Sequence, residues 1–113
     1  MTDPAATRTR LRAEHESASL LLASLTRDFS GIVEASADSN ADDEHDPEGS
    51  TIAFERSQVS TLIEQARGRL AEIEAAVVRV EDGTYGTCET CGARISDGRL
   101  EARPVARTCI ACA

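Results

Sequence analysis

Between Ala5 and Ser36 the apolar residues recur with a long, regular period. Leu11, Ala18, Leu25 and Ile32 stand seven apart, and His15, Leu22 and Phe29 each follow four residues behind the first three. Such a repeat lays one narrow stripe along an α-helix, so it predicts an a/d seam and not a strand. Leu20, Leu21 and Val33 fall beside the strict seam and widen it, which predicts contacts with more than one partner element. Thr7 or Thr9 is the expected N-cap. A second run, from about Ser50 to Asp82, repeats the pattern: Ile52, Val59, Ala66, Ile73 and Val80 in one position, Ile63, Leu70 and Val77 in the other, with Arg56 in that series' first slot. Gly68 is its only breaker and lies off the seam, where it costs about 1 kcal/mol relative to Ala.

The stretch between the two runs, from Asp38 to Gly49, is acidic and rich in turn formers, and it predicts a connection. Pro47 suits the first turn of a new helix with Asp46 as its N-cap, although Gly49 shifts the expected start toward Ser50. Two heptad helices joined by a short polar loop predict a mainly α fold, a long antiparallel coiled-coil hairpin. A turn near Asp42 or Asp43 sets Ile32 beside Ile52, Leu25 beside Val59 and Ser60, Leu22 beside Ile63, Ala18 beside Ala66, His15 beside Leu70 and Leu11 beside Ile73. Each arm would be about 45 to 50 Å long. The expected organisation is a hairpin over residues 1–82, with an acidic tip loop at about 37–50, followed by a small module over 83–113.

That last module carries the chemistry. Cys88-Glu-Thr-Cys91 and Cys109-Ile-Ala-Cys112 are two C-x-x-C pairs separated by seventeen residues. This is zinc spacing, because each tight turn aims two thiolates into one concavity and the intervening loop folds back to close a four-sulfur site. Gly86 and Gly92 flank the first pair where a metal knuckle demands positive φ. Four protein ligands leave no open position for water, so one structural Zn2+ is expected and a catalytic one is not. Two disulfides or a redox C-x-x-C are the competing readings. Met1 to Leu11 is polar and lacks the apolar centre of a secretory signal, so the cytoplasm is the expected compartment. Ile95, Leu100 and Val105 are the apolar residues available to cover the metal, and Pro104 stiffens the return.

Composition narrows the functional classes. Only Phe29, Phe54 and Tyr85 are aromatic, which argues for long helices over a large globular core. A net charge of −8 disfavours electrostatic capture of nucleic acid. Arg94, Arg99, Arg103 and Arg107 could meet phosphate, but Glu89, Asp97 and Glu101 nearly cancel them. No segment is long and apolar enough to span a membrane. His15 reads as a packed or partly exposed seam residue, and His45 as part of a solvated acidic loop whose spacing matches no EF-hand. Phe54, off the seam, either caps the hairpin core or anchors a partner. No catalytic constellation is present in the sequence, and an enzyme is not expected.

The segment Val80-Glu-Asp-Gly-Thr-Tyr-Gly-Thr-Cys88-Glu-Thr-Cys91-Gly-Ala-Arg-Ile95, with Arg99-Leu-Glu-Ala-Arg-Pro104 and Cys109-Ile-Ala-Cys112, resembles the DksA/TraR family of bacterial zinc-finger transcription regulators. The resemblance is specific over about Val80 to Cys112 and is architectural upstream. It implies a hairpin that enters the secondary channel of RNA polymerase and places acidic tip residues near the active-site magnesium, often together with ppGpp. Asp42, Asp43, Asp46 and Glu48 are the corresponding tip acids here. The best-known members carry D-x-x-D-x-A, whereas this chain reads Asp43-Glu-His-Asp46-Pro-Glu48, with Glu48 in the Ala position. Those members also continue into a C-terminal helix, whereas this sequence ends at Ala113. A monomer is expected over a dimer. The rival expectation is an oligomerising coiled-coil adaptor with zinc as an end clip, paired through Leu20, Leu21 and Val33.

Overall fold

A computed structural model describes residues 3–39 and 47–113, with side chains over 3–35 and 51–113. Three helices account for most of it: α1 (Pro4–Ser39), α2 (Pro47–Asp82) and the short α3 (Asp97–Ala102). Among the described residues there is no β-strand, only an isolated antiparallel bridge between Thr87 and Arg94. The mainly helical architecture, with two long helices and a four-cysteine module, is the one the heptads and the cysteine spacing predict. The chain divides into two compact units, Ala18–Arg69 and the combination of Met1–Ser17 with Leu70–Ala113.

Helix α1 starts earlier than the Thr7 or Thr9 cap expected from sequence. Asp3 fills that role: its carboxylate accepts the Ala5 N–H at 3.1 Å, and its carbonyl accepts the Thr7 N–H at 2.9 Å. Pro4 then occupies the first helical position, where its missing N–H costs nothing and its fixed φ suits the helix. Thr9 lies inside the helix, with its hydroxyl bonded to the Ala5 carbonyl, and Thr7 is buried. Helix α2 begins at Pro47 and runs through Gly49 without waiting for Ser50.

In the unit Ala18–Arg69, Leu25, Ile63 and Ala66 are buried together, with Leu22, Phe29 and Val59 packed against them. These residues come from both helices, and Leu22 with Ile63 and Leu25 with Val59 are pairs that the antiparallel register sets side by side. Leu20, Leu21 and Val33 are exposed, as are Phe54 and Leu62.

The other unit holds the most completely buried residues of the long helices. Leu11 of α1 and Ile73 and Ala76 of α2 have no exposed surface. Burial of a side chain such as Leu11 or Ile73 contributes roughly 1.5–3 kcal/mol. His15 lies at the edge of this core, with Nε2 3.2 Å from Glu74 Oε1, a partly exposed seam histidine and not a ligand. Arg10 donates a short hydrogen bond to the Glu101 carbonyl, tying the start of α1 to the end of α3.

Candidate metal centre

The metal centre is assembled by turns that begin where α2 stops. Gly83 takes φ +82°, a left-handed conformation that ends a helix cheaply only when no Cβ is present. Asp82 opposes the helix dipole at this end, yet it has a local use: Oδ1 accepts both the Thr84 N–H (3.2 Å) and the Thr84 hydroxyl (2.6 Å), fixing the exit turn. The Thr84 and Tyr85 N–H groups both bond back to the Arg79 carbonyl, which satisfies an acceptor at the helix end.

The first cysteine pair sits on a short loop closed by the Thr87–Arg94 bridge. Cys88 N–H donates to the Ala93 carbonyl at 2.8 Å, Ile95 N–H to Gly86 at 2.7 Å, and Gly92 N–H to Cys88 at 2.9 Å. Gly86 and Gly92 have φ of +83° and +75°, as knuckle geometry demands. Ser96 then caps α3, accepting the Arg99 N–H, and the chain returns through buried Pro104, Val105 and Ala106. Three side chains clamp that return by its carbonyls. Tyr85 OH donates to Pro104 at 2.7 Å, Arg79 to Val105 at 3.3 Å, and Arg99 Nε to Thr108 at 2.8 Å. Burial raises the Tyr85 pKa, and burial together with the nearby Arg107 lowers that of Arg79.

These constraints bring the sulfurs of Cys88, Cys91, Cys109 and Cys112 within 4.8 Å of one another. The Cys91 and Cys109 sulfurs are 3.7 Å apart. A tetrahedron of sulfurs at about 2.3 Å from zinc has edges of about 3.8 Å, so the spacing fits the ion. It also rules out the disulfide reading, since all four thiols are free and a bonded pair would lie at about 2.05 Å. Cys88 is buried against Ile95, Leu100 and Ala106, with Tyr85, Cys109 and Cys112 packed on that cluster.

The electrostatics favour a cation. Backbone N–H groups of Cys109 and Cys91 point at the Cys88 sulfur and lower its pKa to about 6. Hydrogen bonding with the thiols of Cys109, Cys91 and Cys88 pushes Cys112 up to about 12. Four thiolates this close repel one another, and a shared divalent ion offsets that repulsion. Arg94 lies 3.6 Å from Asp97 and Arg107 3.8 Å from Glu89, both exposed pairs, and Arg99 is bonded to the Thr108 carbonyl.

Asp42, Asp43 and Asp46, named from sequence as the acidic tip, lie outside the described residues, as do His45 and the side chain of Glu48. The clamp formed by Arg79, Tyr85 and Arg99 was not visible in the sequence, because no periodicity or spacing marks a side chain that bonds a distant backbone carbonyl.

A small four-sulfur zinc finger joined to a two-helix hairpin defines the class of protein. Residues 83–113 match the family described as prokaryotic dksA/traR C4-type zinc finger. General stress protein 16O of Bacillus subtilis is 41% identical over 69 residues, which is 61% of this chain and 42% of that protein. The RNA polymerase-binding transcription factor DksA of Escherichia coli (strain K12) is 45% identical over 49 residues, 43% of this chain and 32% of that protein. The matched stretches thus span less than half the length of these relatives. The solved structure of transcription factor DksA2 from Pseudomonas aeruginosa covers 99% of this chain and 87% of its own, with a TM-score of 0.57 and 22% identity, a likeness of fold. Residues 83–113 are thus a dksA/traR C4-type zinc finger, whose four cysteines are placed to hold one structural zinc. Among the described residues no helix is long and apolar enough to cross a membrane.

Proposed function

We propose that this protein is a non-enzymatic regulator of transcription that binds bacterial RNA polymerase, and that Cys88, Cys91, Cys109 and Cys112 ligate its zinc. The observation that carries the reading is the dksA/traR-type finger together with 45% identity to a relative named for polymerase binding. In this reading the hairpin enters the polymerase secondary channel and presents Asp42, Asp43, Asp46 and Glu48 near the catalytic magnesium. Affinity and effect then reside in different parts of the chain. The test is binding of the full chain to purified bacterial RNA polymerase, followed by transcription from purified promoters with and without ppGpp. Asp43→Asn with Asp46→Asn abolishes the transcriptional effect and leaves affinity largely intact. Equal loss of both makes the tip a docking surface only, and no binding at micromolar protein in low salt overturns the proposal.

One observation favours a second reading. Leu20 and Leu21 are 65% and 54% exposed, an apolar surface that an oligomerising adaptor would cover. Sedimentation separates the two readings, since a tight dimer paired through these residues could not offer its hairpin to a narrow channel.

A further inference from the structure

Within the unit that contains the finger, the start of α1 and the Thr87–Arg94 loop line a half-open cavity of about 400 Å³. Its walls are partly apolar, formed by Val80, Leu100 and the Tyr85 ring. Gly86 keeps one wall thin: a Cβ there would meet Leu100 Cδ1 at 3.5 Å. The polar side chains lining it are all hydrogen-bond donors. Thr87 and Arg94 form an antiparallel bridge whose flanking hydrogen bonds run from Cys88 to Ala93 and from Ile95 to Gly86. They are therefore a non-hydrogen-bonded pair, the arrangement that sets two side chains closest on one face. Thr7 lines the cavity from α1 and is 7% exposed. Its side chain borders a space large enough for a small molecule. The chain has 20 acidic residues and a net charge of −8, yet no carboxylate lines this space.

We infer that this cavity binds a small carboxylate with a short apolar body, its oxygens held by the Arg94 guanidinium and the Thr7 and Thr87 hydroxyls and its body set against Val80, Leu100 and Tyr85. The inference is independent of polymerase binding and involves neither the tip nor the sulfur cluster. Arg94 provides charge and a forked donor, so a neutral isostere should bind much more weakly. The 3.6 Å approach of Asp97 to Arg94 is long and solvent-exposed, and a bound carboxylate can displace it.

The test is a heteronuclear NMR titration of the zinc-loaded full chain with sodium benzoate, and in parallel with benzamide. Benzoate should shift the amide signals of Thr7, Gly86, Thr87 and Arg94 saturably, with benzamide at least about tenfold weaker. Arg94→Gln and Thr7→Val should each weaken benzoate about tenfold without changing zinc content, and Thr7→Ser should restore it. Arg94 is exposed, so its variant should fold even if Thr7→Val does not. Shifts scattered over surface arginines without saturation, equal binding of benzamide, or unchanged affinity in Arg94→Gln would each overturn the inference.

Discussion

Replacing Ile95 with Ala separates the contribution of packing from that of sulfur chemistry. Ile95 has no exposed surface and lies in the cluster that buries Cys88, yet it is not a ligand. Truncating a buried aliphatic side chain of this size costs about 2–5 kcal/mol, part lost transfer energy and part cavity. A module of some thirty residues is too small to fold on apolar burial alone, so metal binding and folding are one equilibrium there. The packing loss should therefore appear as lost zinc affinity. At about 1.4 kcal/mol per tenfold, the expected weakening is from about 30-fold to a few thousand-fold. Competition with a chromogenic chelator at neutral pH measures it on the full chain. Leu25→Ala is the control, because Leu25 is buried in the unit that lacks the cysteines. It should lower the thermal midpoint while leaving zinc affinity within about threefold. An Ile95→Ala chain that binds zinc as tightly as the parent would refute the coupling.

Three further outcomes follow from the same geometry. Tyr85→Phe removes the 2.7 Å bond to the buried Pro104 residue and should cost about 0.5–1.5 kcal/mol in the melt of the zinc-loaded chain. Tyr85 is the sole tyrosine, so an ultraviolet titration reads it directly. Its raised pKa means that its stabilisation is complete below the ordinary phenol value of 10 and is lost as pH rises beyond it. Gly92→Ala meets no atom within 4 Å, so its cost is the left-handed backbone alone, about 1–2 kcal/mol, and Gly92→Asn should cost less. Acidification should release zinc, because protons compete for the thiolates. A dye-release titration from about pH 7 to about pH 5 should show more than one proton taken up per ion.

The helices were legible because their signal is periodic and redundant. Leu22, Leu25, Phe29, Val59, Ile63 and Ala66 mark one seam on each helix, and the nearly constant sum of paired positions sets the expected register. The sulfur cluster was legible because C-x-x-C limits how two thiolates can point, and Gly86 and Gly92 mark the backbone that turns N–H groups toward them. What escaped was local chemistry without period. Pro4 moves the start of α1 ahead of both threonines, and Asp3, one residue earlier, takes the cap. Asp82 reads as a misplaced charge on a dipole argument until its two bonds to Thr84 are seen. Arg79 and Tyr85 look like ordinary helix-end and linker residues, and only the folded loop puts the Val105 and Pro104 carbonyls within their reach. Thr7, one of the two cap candidates, instead lies within α1 and lines a cavity.

The finger holds its shape only if Cys88, Cys91, Cys109 and Cys112 share one ion. X-ray absorption at the zinc edge on the full chain, with metal content measured on the same sample, tests this directly. The expected result is one zinc per chain with four sulfur scatterers at about 2.3 Å and no nitrogen or oxygen neighbour. A mixed shell containing histidine nitrogen or water oxygen, or a chain whose cysteines are oxidised in pairs and bind no zinc, would contradict it.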